Sequence, residues 1–343
     1  MLNEKFILQL KSLYKDAFPT DSANFVEYFF SGRLKNDLFN NVATVSDDKQ
    51  LVSAGYIIKK PAKIFNKQET AYYLTALATF SEHRNKGYFT QLMQKLLINL
   101  YDKQVSFCFL YPFNHEFYLK YNFNNVSFCD KIIANGNKKC IEIKYTSNSQ
   151  IPNDVLNQLA TLDKKNDFDN RLTFGKEEIL KKIGEFSADN VELCTYAYSN
   201  DTDSIFAYCF KNDKKVFFYV TNDKKMFFDL DALKGLEVFD FNQGEMPYIQ
   251  ARIVNIKTAL QIAPLIIKKP FSIKIVDNLI KDNNAIFLVT PKSEGQDNII
   301  KIIKEAKSNK LDFEFNIAEL TKILLCGDGA LVKPQRNCFI DQY

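Results

Sequence analysis

Tyr72-Tyr73-Leu74-Thr75-Ala76-Leu77-Ala78-Thr79-Phe80 is a nearly all-apolar run, and such a run ending in polar residues predicts a buried strand. It breaks at Ser81-Glu82-His83-Arg84-Asn85-Lys86-Gly87. From Tyr88 the period changes. Leu92, Met93, Leu96, Leu97 and Leu100 recur at helical spacing, which predicts an amphipathic helix over 88–101. Val105 to Tyr111 is apolar again and stops at Pro112. Strand, short basic turn with a glycine, helix, strand: the order is that of a compact β-α-β unit, with its turn at the strand's C-terminal end.

That turn is where chemistry can be placed. The first N–H groups of a helix lack intrahelical partners and sit at the positive end of the macrodipole, which suits a phosphate or pyrophosphate. Arg84 and Lys86 add charge, and Gly87 lets a phosphate approach the backbone. Neither the Walker spacing nor the three-glycine dinucleotide spacing is present. Taken alone, a basic turn with one glycine is more often an ordinary solvated loop.

Composition narrows the alternatives. The 343 residues carry 45 Lys+Arg against 41 Asp+Glu, a net charge of +4, which argues against a dedicated nucleic-acid binder. The 31 Phe and 17 Tyr need folded cores and exclude a disordered chain. Seven Cys, odd in number and without a C-x-x-C pair, sit mostly in apolar runs, so a disulfide scaffold is not expected and a reducing compartment is. Two histidines, His83 and His115, give little material for a zinc site or a Ser-His-Asp triad, and no metal is expected; His83 is read as a packing or phosphate-side residue and His115 as structural. The N-terminus lacks a signal-peptide pattern and no apolar stretch reaches spanning length, so a cytoplasmic protein without membrane contact is expected.

Elsewhere, Leu51–Ile58 reads as a strand, and polar clusters at 135–139 and 146–152 mark a boundary at the second. Helices are predicted over 153–163 and 176–186, followed by aromatic strands at Val191–Tyr198, Ser204–Phe210, Lys215–Val220 and Met226–Leu230. After 242–245 come a strand at Tyr248–Val254, a helix over 257–267, and strands at Phe271–Val276 and Ala285–Thr290. Asn316 with Glu319 is a capping box opening a last helix that closes near Gly327. Apolar residues continue to the final Tyr343, which predicts a docked rather than frayed terminus.

The segment 77–90 resembles motif A of the GNAT N-acetyltransferases, Gln/Arg-x-x-Gly-x-Gly/Ala: Arg84 and Gly87 match, and Phe89 replaces the small last residue. That departure, the preceding Ala78-Thr79-Phe80-Ser81-Glu82-His83-Arg84, the stretch Tyr111–Phe123 and Phe25-Val26-Glu27-Tyr28-Phe29-Phe30 resemble the Eis (enhanced intracellular survival) branch. The resemblance implies an α/β (α+β) fold of two GNAT-type mixed sheets flanked by helices, plus a sterol-carrier-like α+β domain. The expected units are 1–147 (acetyl-CoA-binding and catalytic), 148–244 (GNAT-like without the cofactor motif) and 245–343 (sterol-carrier-like, returning the C-terminus to the active site).

By the same resemblance acetyl-CoA is the co-substrate. Leu77, Ala78 and Thr79 would pair with its pantetheine arm, Asn85, Lys86, Gly87, Tyr88, Phe89 and Thr90 would hold its pyrophosphate, and Phe113 and Asn114 would border it. Tyr118 would be the proton donor and the terminal carboxylate of Tyr343 the base. The implied reaction is direct transfer of acetyl to a primary amine, on an aminoglycoside-like, polyamine or lysine-type small molecule or peptide, in a ternary complex. A homo-oligomer is implied too, hexameric in the family. A non-catalytic lipid or acyl carrier using the C-terminal domain, and an acyltransferase using longer acyl-CoA, stand as alternatives.

Overall fold

The computed structural model describes residues 2–33, 38–147, 151–165, 170–241, 244–293, 295–303, 311–327 and 329–334. Helices α1 (Leu2–Ala17), α2 (Ala23–Tyr28) and α3 (Leu38–Asn41), with a π-helical turn at Phe29–Arg33, precede strands β1 (Val42–Asp47), β2 (Gln50–Ile64) and β3 (Lys67–Thr79). Then come α4 (Tyr88–Asp102), β4 (Phe107–Leu110), α5 (His115–Leu119) and β5 (Asn124–Ile133). The middle of the chain holds β6 (Ile141–Tyr145), α6 (Asn153–Lys165), β7 (Arg171–Leu172), α7 (Lys176–Ser187), β8 (Glu192–Tyr198), β9 (Asp201–Lys211), β10 (Lys215–Thr221), α8 (Lys224–Phe228) and β11 (Glu237–Asp240). The last part contributes β12 (Met246–Ile253), α9 (Ile256–Ile262), β13 (Phe271–Val276), β14 (Ile286–Thr290), β15 (Ile299–Ile303), β16 (Phe313–Asn316) and α10 (Ile317–Cys326).

Among the described residues these strands make two mixed sheets. The larger runs β1-β2-β3-β4-β12-β5-β11-β10-β9-β8-β6, with β7 pairing β2 off that path; the smaller runs β15-β14-β13-β16. Strand β12 opens the last segment of the chain yet lies inside the large sheet, antiparallel to β4 from Gln250↔Leu110 to Ile253↔Phe107 and to β5 from Met246↔Cys129 to Ala251↔Asn124. Its residues from Tyr248 to Ile253 are all buried, and a strand buried on both faces needs neighbours at both edges.

The alternation of β2 and β3 feeds two separate cores. Val52, Ile57 and Leu74 face the apolar stripe of α4, formed by Leu92, Met93, Leu96, Leu97 and Leu100. Tyr56, Ile58, Phe107 and Phe109 face the opposite way, toward Leu10 and Leu13 of α1 and Phe25 of α2. The sheet is therefore a wall between two apolar layers, so a gap in it is a specific feature.

Two local expectations are corrected. Met226–Leu230 is not a strand: Lys224–Phe228 is helical, because Asp223 Oδ1 accepts the Met226 N–H at 2.9 Å and caps a turn there. The helix expected over 257–267 stops at Ile262, since Pro264 forces Ala263 to an extended backbone (φ −65°, ψ 136°). The capping box at Asn316 and Glu319 is formed, and α10 ends on Gly327 at φ +66°. A Cβ on Gly327 would lie 1.9 Å from the Lys333 carbonyl oxygen, so only glycine fits.

Candidate active site

The gap lies between β3 and β4. These parallel strands pair only at Tyr72↔Cys108 and Tyr73↔Phe109, whereas β3 stays paired with β2 as far as Thr79. A bulge in β3, with Ala76 at φ +46°, bends the strand where the two part. Leu77, Ala78 and Thr79 thus sit on a strand edge that no neighbouring strand covers among the described residues. Phe80 N–H donates to the Val52 carbonyl at 3.0 Å, so by alternation the N–H and C=O of Thr79 point away from β2 and into the gap. Beneath this edge the buried Ser53 hydroxyl donates to the Ala78 carbonyl at 2.6 Å and lies 2.9 Å from Thr79 Oγ1.

At the end of β3 the chain turns through the segment singled out in the sequence. Asp16 anchors it by accepting from Ser81 N–H at 2.8 Å and Ser81 Oγ at 3.0 Å. Arg84 Nε donates to the Thr79 carbonyl at 3.3 Å, tying the turn to the strand edge. Asn85 (φ +62°) and Gly87 (φ +83°) take left-handed conformations, and Gly87 caps α4 with no side chain bonded to the helix N-terminus. A Cβ added at Gly87 would meet nothing within 4 Å, so there is open space beside the start of α4, whose first amides have no side-chain cap. Exposed Arg84 and Lys86 stand beside them. The turn thus sets a helix N-terminus without a side-chain cap beside two exposed cations.

The residues after Gly87 tie the turn to its surroundings. Tyr88 donates to Asp47 Oδ2 at 2.5 Å, and that carboxylate pushes the phenol pKa up. Thr90 Oγ1 and the Tyr121 hydroxyl are 3.0 Å apart. Phe89, which departs from the small residue of motif A, is used as packing: its ring lies 5.0 Å from Phe117, 5.6 Å from Tyr121 and 6.3 Å from Tyr118.

That aromatic shelf carries Tyr118. Asn114 Oδ1 caps α5 by accepting from Glu116 N–H at 2.9 Å and Phe117 N–H at 3.2 Å, so this oxygen is committed to the fold. Phe113 is 76% exposed at the mouth of the gap. The Tyr118 ring is held edge-on by Phe117, Phe113 and Phe123, at centroid distances of 5.1, 5.8 and 6.1 Å. Its hydroxyl makes no hydrogen bond among the described residues, and burial pushes its pKa well above that of an ordinary phenol. It is an undissociated donor in need of an acceptor.

Sequence reasoning passed over the support for this turn, which comes from β12. The buried Arg252 donates from Nη1 to the Tyr121 carbonyl and from Nη2 to both oxygens of the buried Asp277, each at 2.7 Å. Gln250 Nε2 donates at 2.9 Å to the His115 carbonyl and at 2.9 Å to Asn125 Oδ1, which is itself 2.9 Å from His115 Nδ1. The other histidine, His83, lies with its ring 6.1 Å from that of Tyr88. The available signal was a pair of long polar residues, Gln250 and Arg252, in an otherwise apolar strand. The described site joins Leu77–Thr79, Asn85–Thr90, Phe113, Asn114 and Tyr118; Tyr343 lies outside the described residues.

A forked strand pair, an uncapped helix N-terminus at the end of the first arm, and a phenol after the second that makes no hydrogen bond among the described residues make up this part of the sheet. Comparison with known proteins gives the class a name. Residues 1–126 match the family model described as acetyltransferase (GNAT) domain. No curated protein sequence matches the chain significantly. Solved structures are similar over nearly the whole chain. A protein of unknown function from Enterococcus faecalis V583, described as a probable N-acyltransferase, has TM-score 0.74 and 14% identity, covering 99% of this chain and 98% of its own. A GCN5-related N-acetyltransferase from Anabaena variabilis has TM-score 0.71 and 14% identity, over 98% and 96%. Eis1 from Mycobacterium abscessus has TM-score 0.65 and 12% identity, over 96% and 95%. At such identities the likeness is one of fold. Residues 1–126 are a GNAT acetyltransferase domain, and the protein is an enzyme of the N-acetyltransferase type.

Proposed function

We propose that the protein transfers an acetyl group from acetyl-CoA to a primary amine by direct attack, without an acyl-enzyme. The observation that carries this is the convergence on one gap of the open helix N-terminus at Gly87 and the unbonded hydroxyl of Tyr118, linked through the Phe89 ring. The amides of Gly87 to Thr90, with Arg84 and Lys86, suit the diphosphate; the free edge at Leu77, Ala78 and Thr79 suits the amide-bearing arm; Phe113 and Asn114 border its end. Acetyl-CoA supplies an acetyl thioester, an activated acyl donor with a stable thiolate as leaving group.

The chain's own groups do the rest. An ammonium of pKa about 10.4 must lose a proton before it attacks, and in this reading the terminal carboxylate of Tyr343 accepts it, directly or through water. A backbone N–H on the free edge of β3 donates to the carbonyl oxygen as negative charge develops there. Tyr118 donates a hydrogen bond to the sulfur as the C–S bond breaks and the C–N bond forms. Because burial raises its pKa, it stabilises the thiolate mainly as a donor and gives up its proton less readily than a free phenol.

The cysteines favour direct attack. Cys108 and Cys129 are fully buried, and burial pushes their thiols up to about 12 and about 11, so neither presents a thiolate at neutral pH. Titration with acetyl-CoA, then an amine panel with free-thiol detection, tests the proposal. Saturable binding and ternary-complex kinetics are expected; ping-pong kinetics would refute it.

A further inference from the structure

The Tyr118 hydroxyl makes no hydrogen bond among the described residues, so its direction depends on ring packing and on the backbone that carries it. That backbone is fixed by the turn that follows. The Tyr118 carbonyl accepts from Tyr121 N–H at 3.0 Å and from Phe123 N–H at 3.3 Å, and Asn122, at φ +60°, reverses the chain. Three ties then hold the turn from outside. Arg252 Nη1 donates to the Tyr121 carbonyl at 2.7 Å, and Asn122 Nδ2 donates to Asn278 Oδ1 at 2.7 Å. The Tyr121 hydroxyl lies 3.0 Å from Oγ1 of Thr90, in the first turn of α4.

Arg252 and Asn278 both lie outside the acetyltransferase domain of residues 1–126. Arg252 stands on β12 opposite Cys108, which itself pairs with Tyr72 just before β3 and β4 part. Behind it, Asp277 accepts from Arg252 Nη2 with both oxygens and is locked in place by its own loop. Its Oδ1 accepts from Leu279 N–H at 2.9 Å and Ile280 N–H at 3.1 Å, and its Oδ2 from Asn283 Nδ2 at 2.8 Å. Asn283 Nδ2 also donates to the Val254 carbonyl at 2.8 Å, which returns the loop to the end of β12. Both side chains of the pair are fully buried. A buried ion pair adds little stability over apolar residues of the same volume. What a guanidinium adds is a rigid, planar fork, and here the fork spans from a locked carboxylate to the tyrosine turn.

We propose that Arg252, held by Asp277, is a positioning residue for acetyl transfer. It sets the turn at 120–123 against the sheet and thereby aims the Tyr118 hydroxyl at the sulfur, while Tyr121 keeps that turn in step with the helix start at Thr90. Fully buried, Arg252 reaches the reaction only through Tyr118, so this inference rests on that tyrosine as the donor to the sulfur. The segment after residue 245 is then part of the transfer apparatus and not an appended unit.

Kinetics of the full chain in a double-mutant cycle test it. Arg252→Lys keeps a cation beside Asp277 but loses the fork. It is expected to lower acetyl-transfer kcat about tenfold and to leave the acetyl-CoA dissociation constant, read by calorimetry, within about twofold. Combined with Tyr118→Phe it should lower kcat no further, because no hydroxyl is left to aim. Arg252→Met together with Asp277→Asn removes the fork and leaves no uncompensated charge; it should give the same pattern, and it serves where the lysine variant fails to fold. A loss that multiplies with that of Tyr118→Phe marks Arg252 as structural only and overturns the proposal. So does an unchanged kcat, or a loss carried by acetyl-CoA affinity alone. If Tyr118→Phe by itself leaves kcat unaltered, the role of Tyr118 falls and this proposal with it; a loss in Tyr118→Phe with none in Arg252→Lys sinks this proposal alone.

Discussion

The first and middle parts of the large sheet contain the same device in two states. In the first, β3 is followed by α4 and by β4, which pairs parallel to β3 at two positions and then diverges. In the middle part β10 is followed by α8 and by β11, again parallel and paired at two positions, Lys215↔Glu237 and Val216↔Val238. The helix starts differ. Gly87 leaves the amides of α4 open, while Asp223 plugs those of α8 with its carboxylate and also accepts from the Tyr198 hydroxyl at 2.8 Å. The fork differs too: near β10, Phe227 stacks on Tyr219 at 4.8 Å and joins Leu230 and Leu233 in a sealed core. A fork in a sheet is thus a scaffold, and the residue at the helix start with the side chains in the cleft decides whether it can hold a ligand.

The sharpest test of that contrast is Tyr118→Phe, which removes an unbonded hydroxyl from the open fork. Acetyl-transfer kcat should fall on the order of 100-fold with acetyl-CoA affinity nearly unchanged; an unaltered kcat would remove Tyr118 from the mechanism. Extending the chain beyond Tyr343 should lower kcat by a similar order if the terminal carboxylate is the base. Turnover that survives the extension assigns the base elsewhere.

Gly87→Asp copies the plugged state into the open fork. It forces an L residue to φ +83° and sets a carboxylate against the diphosphate, so acetyl-CoA affinity, read by calorimetry, should weaken about tenfold or more. The reciprocal change, Asp223→Ala, should cost about 1 kcal/mol in chemical unfolding and leave kcat alone. The Asp223 carboxyl is held below its ordinary value by the Met226 N–H and the Tyr198 hydroxyl. Its contribution is therefore complete above the unfolded pKa of about 3.9 and is lost as pH falls through the lowered native value. Least of all, the pH–rate profile should show no basic limb from Tyr118 below pH ~10, since burial raises that phenol above its usual pKa; a limb that Tyr118→Phe abolishes would contradict it.

Local pattern was enough to read the strand-to-helix switch at Gly87, the stripe of α4, and the capping box that starts α10, because each depends on residues within a turn or two of one another. The same reasoning misread Met226–Leu230, where aromatic content favoured a strand and a side-chain cap three residues upstream decided for helix. Tyr118 was singled out by resemblance, since one tyrosine among seventeen carries no local mark of its role.

What the amino-acid order alone determined is the set of pieces: which segments are helices and strands, and that one helix begins on an open glycine. Tertiary structure alone decided that β12 leaves its sequence neighbours to lie between β4 and β5, that β3 and β4 part after two pairs, and that Arg252 buttresses the tyrosine turn from more than 100 residues away, with a separation of 131 to Tyr121. Periodicity records which face of a segment is buried but not which strand will lie beside it. That choice is made by burial and hydrogen bonding summed over the whole sheet.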